Sequence, residues 1–214
     1  MAIAENVKKI KNYIPDNVTL IAAVKYASNE QILELVRAGV KDFGFNTYQQ
    51  LKEVKKLIPS DARVHFIGHV QSNKVRKVLQ ENVFLVQSVD SYKLAEKIDK
   101  VASELRIKQD ILLEVKTDET KKHGFSALET ENVASKINSS LKNIKIKGLM
   151  TIPPLSSNPD DSRKSFSLIK KLFDKLSEKT NKKWEYLSMG MSDDYKIAIE
   201  EGANMVRIGR AIFE

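Results

Sequence analysis

The feature that most constrains this chain is a strict alternation of short apolar runs with amphipathic helical segments, repeated eight times in 214 residues. After an opening helical stretch over residues 2–13, Thr19-Leu-Ile-Ala-Ala-Val forms a nearly continuous apolar run that stops at Lys25. A run of that kind fits a parallel strand covered on both faces. Ser28 with Gln31 is a capping-box signature, Ile32, Leu35 and Val36 mark one helical face, and Gly39 supplies a stop, which completes one βα unit. The pattern continues with strands at 42–45, 63–68, 83–89, 110–115, 144–150, 186–189 and 205–208. Helices are expected between them at 47–57, 72–80, 91–105, 127–139, 161–179 and 194–201. Phe166, Ile169, Phe173 and Leu176 supply one apolar stripe. Strict alternation implies a parallel sheet. No G-x-G-x-x-G turn follows any strand, which removes the usual mark of an open dinucleotide-binding sheet and favours closure into a (β/α)8 TIM barrel with an extra N-terminal helix.

The length suits one barrel domain over residues 1–214. Without cysteine, disulfides, thiolate metal sites and cysteine nucleophiles are excluded, and a reducing cytoplasm is the expected location. Three histidines, His65, His69 and His123, read as too few and too scattered for a metal cluster, so no metal is expected. No run approaches the roughly 20 apolar residues of a membrane span, and the N-terminus lacks a secretion-signal pattern. The net charge of +8 is spread among interspersed Lys and Glu, with only short clusters such as Lys121-Lys122 and Lys182-Lys183, which reads as solvated surface rather than a nucleic-acid site. The 30% charged fraction would also suit a heat-adapted protein. The long connection 152–160 is either a lid or a surface insertion.

In a parallel barrel the loops leaving the strand C-termini form the active face. Gly190-Met191-Ser192-Asp193-Asp194 leads from the seventh strand into a helix whose first N–H groups and dipole favour an anion; alternatively, Ser192 is a plain N-cap. Asp193 and Asp194 are expected to complement the dipole rather than touch a ligand. Arg207-Ile-Gly-Arg210 ends the eighth strand, where Gly209 admits close approach to the main chain. Taken alone, Lys25 reads as a snorkelling surface group. Paired with an anion site across the same rim, it becomes a candidate amine for an aldehyde cofactor, emerging from partly desolvated surroundings that lower its pKa.

Several strings then carry a resemblance: Ala23-Val-Lys25, Phe43-Gly-Phe-Asn46, His65-Phe-Ile-Gly-His-Val-Gln-Ser-Asn-Lys74, Lys122-His-Gly124, Gly148-Leu-Met-Thr-Ile152, Leu187-Ser-Met-Gly-Met-Ser-Asp-Asp194 and Met205-Val-Arg-Ile-Gly-Arg-Ala-Ile-Phe213. Over nearly its whole length the chain resembles the pyridoxal 5′-phosphate (PLP) homeostasis proteins of the YggS or PROSC type, whose barrel is similar to the N-terminal domain of alanine racemase. The resemblance implies PLP as cofactor, held as an imine on Lys25, with Ser192 and the backbone of Gly209 and Arg210 on its phosphate and Met191 beside them. It places Arg207 against the pyridine nitrogen, where an always-protonated donor would keep that nitrogen unprotonated and the ring a weak electron sink. Without the resemblance, Arg207 reads as part of an ion pair inside the barrel. Asn46 and Lys122 are further candidates around the cofactor, and His65 is either a hydrogen-bonded interior histidine or a ligand contact.

This chain departs from the family pattern in Val24-Lys25-Tyr26, which lacks a following proline, and in Gly44-Phe45-Asn46-Thr47, which lacks the usual carboxylate and phenol. It stops at Glu214, so a last helix is expected to be absent or minimal. Alanine racemase takes its second base, a tyrosine, from an additional domain, and no such segment follows the eighth strand here. The expectation is therefore a PLP carrier with little or no turnover and no catalytic residues, a cytoplasmic monomer whose partners are PLP, amino acids and apo-forms of PLP enzymes, with neither nucleic acid nor membrane. The competing expectations are a small PLP-dependent racemase or lyase using Lys25 with Lys122 or His123, and a basic nucleic-acid-binding protein.

Overall fold

A computed structural model of the chain describes residues 2–118, 123–154, 158–179 and 184–214. Its strands are β1 (Thr19–Ala23), β2 (Asp42–Phe45), β3 (Arg63–Phe66), β4 (Leu85–Val89), β5 (Gln109–Glu114), β6 (Ile144–Met150), β7 (Tyr186–Ser188) and β8 (Met205–Ile208). All neighbours run parallel, and β8 closes onto β1 with Ala22 opposite Ile208, so the sheet is the closed barrel that the alternation predicts.

The helices are α1 (Ala2–Tyr13), α2 (Asn29–Arg37), α3 (Tyr48–Val54), α4 (Val75–Leu79), α5 (Tyr92–Glu104), α6 (Ala127–Ser140), α7 (Pro159–Lys179), α8 (Tyr195–Glu200) and α9 (Arg210–Phe213). Their starts follow side-chain chemistry. Ser28 with Gln31 and Ser126 with Glu129 form reciprocal capping boxes, while Thr47 and Ser91 cap α3 and α5 through single hydroxyls. Several sequence boundaries are corrected. β1 ends at Ala23, two residues before Lys25; β3 ends at Phe66; and α4 is half the expected length, because residues 67–74 leave regular structure at the rim.

The core has two compartments. Ile32, Leu35, Phe43, Leu51, Val75, Ile98, Phe166, Ile169 and Val206 are among the residues that fill the layer between barrel and helices. Ile21, Leu85, Leu112, Met150 and Met205 pack inside the barrel. The terminal helix α9 makes only one turn. The opening helix α1 lies against α2 on one side and α9 on the other, with Tyr13 edge-on to Tyr195 of α8. It buries Ile3, Val7 and Ile10, and Asn6 Nδ2 donates to the Ile212 carbonyl at 3.2 Å. The extra helix thus fills the sector of the outer ring beside the β8–β1 seam.

Lys121, Lys122, Lys182, Lys183 and the middle of the 152–160 connection lie outside the described residues. Among the described residues, no helix is long and apolar enough to cross a membrane.

Candidate functional site

Closure of the barrel puts the ends of β1, β7 and β8 side by side, and with them most of the residues singled out above. Gly209 packs against the end of β1: a Cβ there would sit 3.1 Å from the Ala23 carbonyl oxygen. Lys25 follows two residues later. Its side chain is exposed, and its ammonium lies 4.7 Å from the ring centre of Tyr26, itself 87% exposed. The expected desolvation of Lys25 is therefore corrected: one rim aromatic shelters the amine, because β1 stops early and the residue projects beyond the barrel wall. The loop is held from the side, as Gln50 Nε2 donates to the Val24 carbonyl and Gln50 Oε1 accepts the Asn46 N–H at 3.3 Å. Asn46 lines a rim cavity of about 450 Å³ together with Phe66, His69 and Gln71.

The β7 and β8 loops are stitched together. Ala211 N–H donates to Ser192 Oγ at 3.2 Å, and Arg210 pairs with Asp193. Gly190 has φ +93, and a Cβ there would lie 2.6 Å from Ala198 Cβ and 2.9 Å from Tyr195 Cα, so only glycine makes this turn without strain. Two expectations change. The Met191 N–H is engaged by Asp194 Oδ1 at 2.6 Å, so Met191 flanks the anion loop with its own amide already bonded. Asp193 ties the two loops through Arg210, and Asp194 braces the β7 loop on itself, rather than both simply complementing a dipole; burial raises the Asp194 pKa even though that carboxyl accepts the Met191 N–H.

Beneath the rim, a polar chain crosses the barrel interior. Arg207 Nη1 donates to Ser188 Oγ at 2.7 Å, and Ser188 Oγ donates to Gln87 Oε1 at 2.7 Å. Gln87 Nε2 lies 3.1 Å from His65 Nδ1, and His65 Nε2 lies 2.8 Å from Asp42 Oδ1. An amide NH2 can only donate, so His65 Nδ1 accepts and its proton resides on Nε2, facing the carboxylate. Every bond then runs in one direction, from guanidinium to carboxylate, where Arg63 pairs with Asp42 as its cation. Burial lowers the His65 pKa, against the pull of Asp42, and keeps the ring neutral. Burial would raise Asp42, but hydrogen bonds from His65 and Arg63 outweigh it and hold the carboxyl below its usual range.

Arg207 is pushed down by burial to about 10, which leaves it charged at neutral pH. Its acceptors are the neutral Ser188 hydroxyl and the Thr151 carbonyl, 2.9 Å from Nη2, with the charges of Glu114 and Asp194 acting through space. This replaces the direct ion pair that Arg207 suggests when read without the resemblance. His65 is an interior, hydrogen-bonded histidine, the first of its two readings. Gln87 and Ser188 were missed as site residues; a polar pair inside the apolar run 83–89 was the available signal for Gln87.

The opposite arc of the rim corrects the reading of the other histidines as scattered. His69 Nδ1 and His123 Nδ1 each lie 3.0 Å from Asp90 Oδ2. They are far apart in sequence but follow β3 and β5, which flank β4 in the barrel, and Asp90 follows β4.

The family model for the alanine racemase N-terminal domain matches residues 1–214. A curated relative, the pyridoxal phosphate homeostasis protein of Aquifex aeolicus, is 42% identical over 199 residues, covering 91% of this chain and 85% of that one. The human protein of the same name is 34% identical, covering 91% and 75%. PipY of Synechococcus elongatus, solved with PLP bound, superposes with a TM-score of 0.90 at 32% identity, over 99% of this chain and 100% of that one. Alanine racemase of Clostridium difficile shares the fold alone, with a TM-score of 0.82 at 17% identity and 56% of its length covered. The chain belongs to the alanine racemase N-terminal domain family and, within it, groups with the pyridoxal phosphate homeostasis proteins.

Proposed function

We infer that this is a PLP-binding protein of intracellular PLP homeostasis, a single domain over residues 1–214 that holds the cofactor on Lys25 with little or no turnover. The observation that carries this reading is the packing of Gly209 on the end of β1, which sets the Lys25 amine and the Ser192–Arg210 loop pair on one rim with no side chain between Gly209 and Ala23. The relatives named for PLP homeostasis and the PLP-bound PipY support it.

PLP supplies an aldehyde that an amine captures reversibly with loss of water, and a ring whose electron withdrawal depends on protonation of its nitrogen. Lys25 provides the amine. The Ser192 hydroxyl, which accepts from Ala211 N–H and keeps its own O–H to donate, and the backbone N–H groups of Gly209 and Arg210 provide the anion site. Met191 flanks it, and Asn46, on the loop after β2, is a further candidate to line the cofactor pocket. Arg207 stays charged and can only donate, so it would leave a ring nitrogen placed against it unprotonated, which would favour storage over carbanion chemistry. The same reading takes the protein as a cytoplasmic monomer, with amino acids as further candidate ligands and apo-forms of PLP enzymes as candidate recipients.

Borohydride reduction of the PLP-loaded protein followed by peptide mass mapping should place the pyridoxyl label on Lys25, with none in Lys25→Ala. Label on another lysine overturns the assignment. Amino acids incubated with the loaded protein in deuterated water should exchange their α-hydrogen slowly; turnover on the order of 10 per second would make it an enzyme.

A further inference from the structure

The arc of the rim formed by β3, β4 and β5 carries a second constellation, independent of the PLP reading. His69, Asp90 and His123 come from three successive strand-end loops and bring three ligating atoms to within 4.8 Å of one another. The two imidazole rings lie side by side, with centroids 4.4 Å apart and tilted by 37°. The Asp90 side chain is 7% exposed and therefore anchored, whereas His69 and His123 are 48% and 55% exposed.

We propose that His69, Asp90 and His123 form a binding site for one divalent transition-metal ion of the zinc class, with its fourth position open to solvent. Bonds of about 2.0–2.1 Å at tetrahedral angles set neighbouring ligand atoms roughly 3.3–3.4 Å apart. The two carboxylate–imidazole separations of 3.0 Å need to open by only a few tenths of an ångström, and the imidazole–imidazole separation, within 4.8 Å, can adjust to the same value by rotation of the half-exposed rings. Two imidazole nitrogens with one carboxylate oxygen suit Zn²⁺, Ni²⁺ or Cu²⁺, whereas Mg²⁺ and Ca²⁺ prefer all-oxygen shells. Three protein ligands with a solvent-facing fourth position are the donor count of an open zinc site rather than a closed structural one. Binding requires each Nδ1 to give up its proton or carry it on Nε2, and the exposure of both rings lets water take up the displaced hydrogen bonds. The alternative for the same geometry is a metal-free clasp in which one carboxylate oxygen accepts two N–H bonds.

Zn²⁺ titration of the tag-free, PLP-free full chain against a chromophoric chelator separates the two. One Zn²⁺ per chain is expected, with affinity reduced at least about tenfold in His123→Ala and in Asp90→Asn, since even outer-shell changes at metal sites cost 10- to 100-fold. Zn²⁺ should also raise the unfolding midpoint of the native protein and raise that of either variant less at the same Zn²⁺ concentration, with circular dichroism confirming that both variants fold. Absence of stoichiometric Zn²⁺ uptake, or uptake of equal affinity in both variants, would overturn the site and leave the clasp.

Discussion

The two arcs of the barrel rim are built from different materials. On the β7–β8–β1 arc the candidate binding surface is main chain: Gly209 against Ala23, the tight turn at Gly190, and loops joined by Ser192 and Asp193. On the β3–β4–β5 arc it is side chain: two imidazoles meeting one carboxylate over loops that leave regular structure early. A backbone site depends on φ, register and the lack of a Cβ, so it is rigid and sensitive to small changes. A side-chain site depends on rotamers and tolerates adjustment. The interior chain from Arg207 to Asp42 links the two, running beneath the rim from β8 to β2.

That contrast can be broken by measurement. The largest stability effect is expected at Gly190→Ala, where a positive φ and contacts of 2.6 and 2.9 Å should cost about 2–4 kcal/mol in urea unfolding; a cost below about 1 kcal/mol would mean the turn is not rigid. Ser188→Ala removes the middle of the interior chain and leaves a buried guanidinium N–H and the Gln87 oxygen unpaired, for about 1–3 kcal/mol.

Acid should then act on the same chain. His65 has a lowered pKa in the fold, so below the ordinary histidine value of about 6.5 the unfolded chain binds its proton first. This contribution is complete above that pH and is lost as pH falls toward the folded value, at up to about 1.4 kcal/mol per pH unit. Asp42, also lowered, adds loss of the same sign below about pH 4. Unfolding midpoints that stay flat from pH 7 to 5 would mean that the fold does not lower the His65 pKa. The smallest effect is expected on the side-chain arc: Asp90→Asn in metal-free protein should cost less than about 1 kcal/mol, because both rings can turn to water.

The fold was legible because its signals are local. Period, capping and glycine stops lie within a few residues of one another, and Ser28 with Gln31 or Thr47 sets a helix start wherever the unit later packs. The rim positions of Lys25, Ser192 and Gly209 and the interior position of Arg207 were legible through short contiguous strings. Gln87 and Ser188 were not, because a polar residue in an apolar run shows that something interior is needed without saying what it meets. The ends of β1 and β3 were misjudged by a residue or two for a related reason: propensity extends a strand until a charge or glycine stops it, whereas the regular ladder ends at Ala23 and Phe66, with one further bond each from Val24 N–H to the Gly44 carbonyl and from Ile67 N–H to the Phe45 carbonyl.

By itself, then, the order of apolar and polar residues determined eight βα units, their parallel sense and the amine and glycine positions at the strand ends. Only barrel closure decided that β8 lies against β1, which brings Gly209 to Ala23 across nearly the whole chain. Closure likewise set β3, β4 and β5 in succession, so that His69, Asp90 and His123 converge. The physical reason is that side-chain period and capping act over one helical turn, whereas a ring of parallel strands joins positions through hydrogen bonds indifferent to the intervening length of chain.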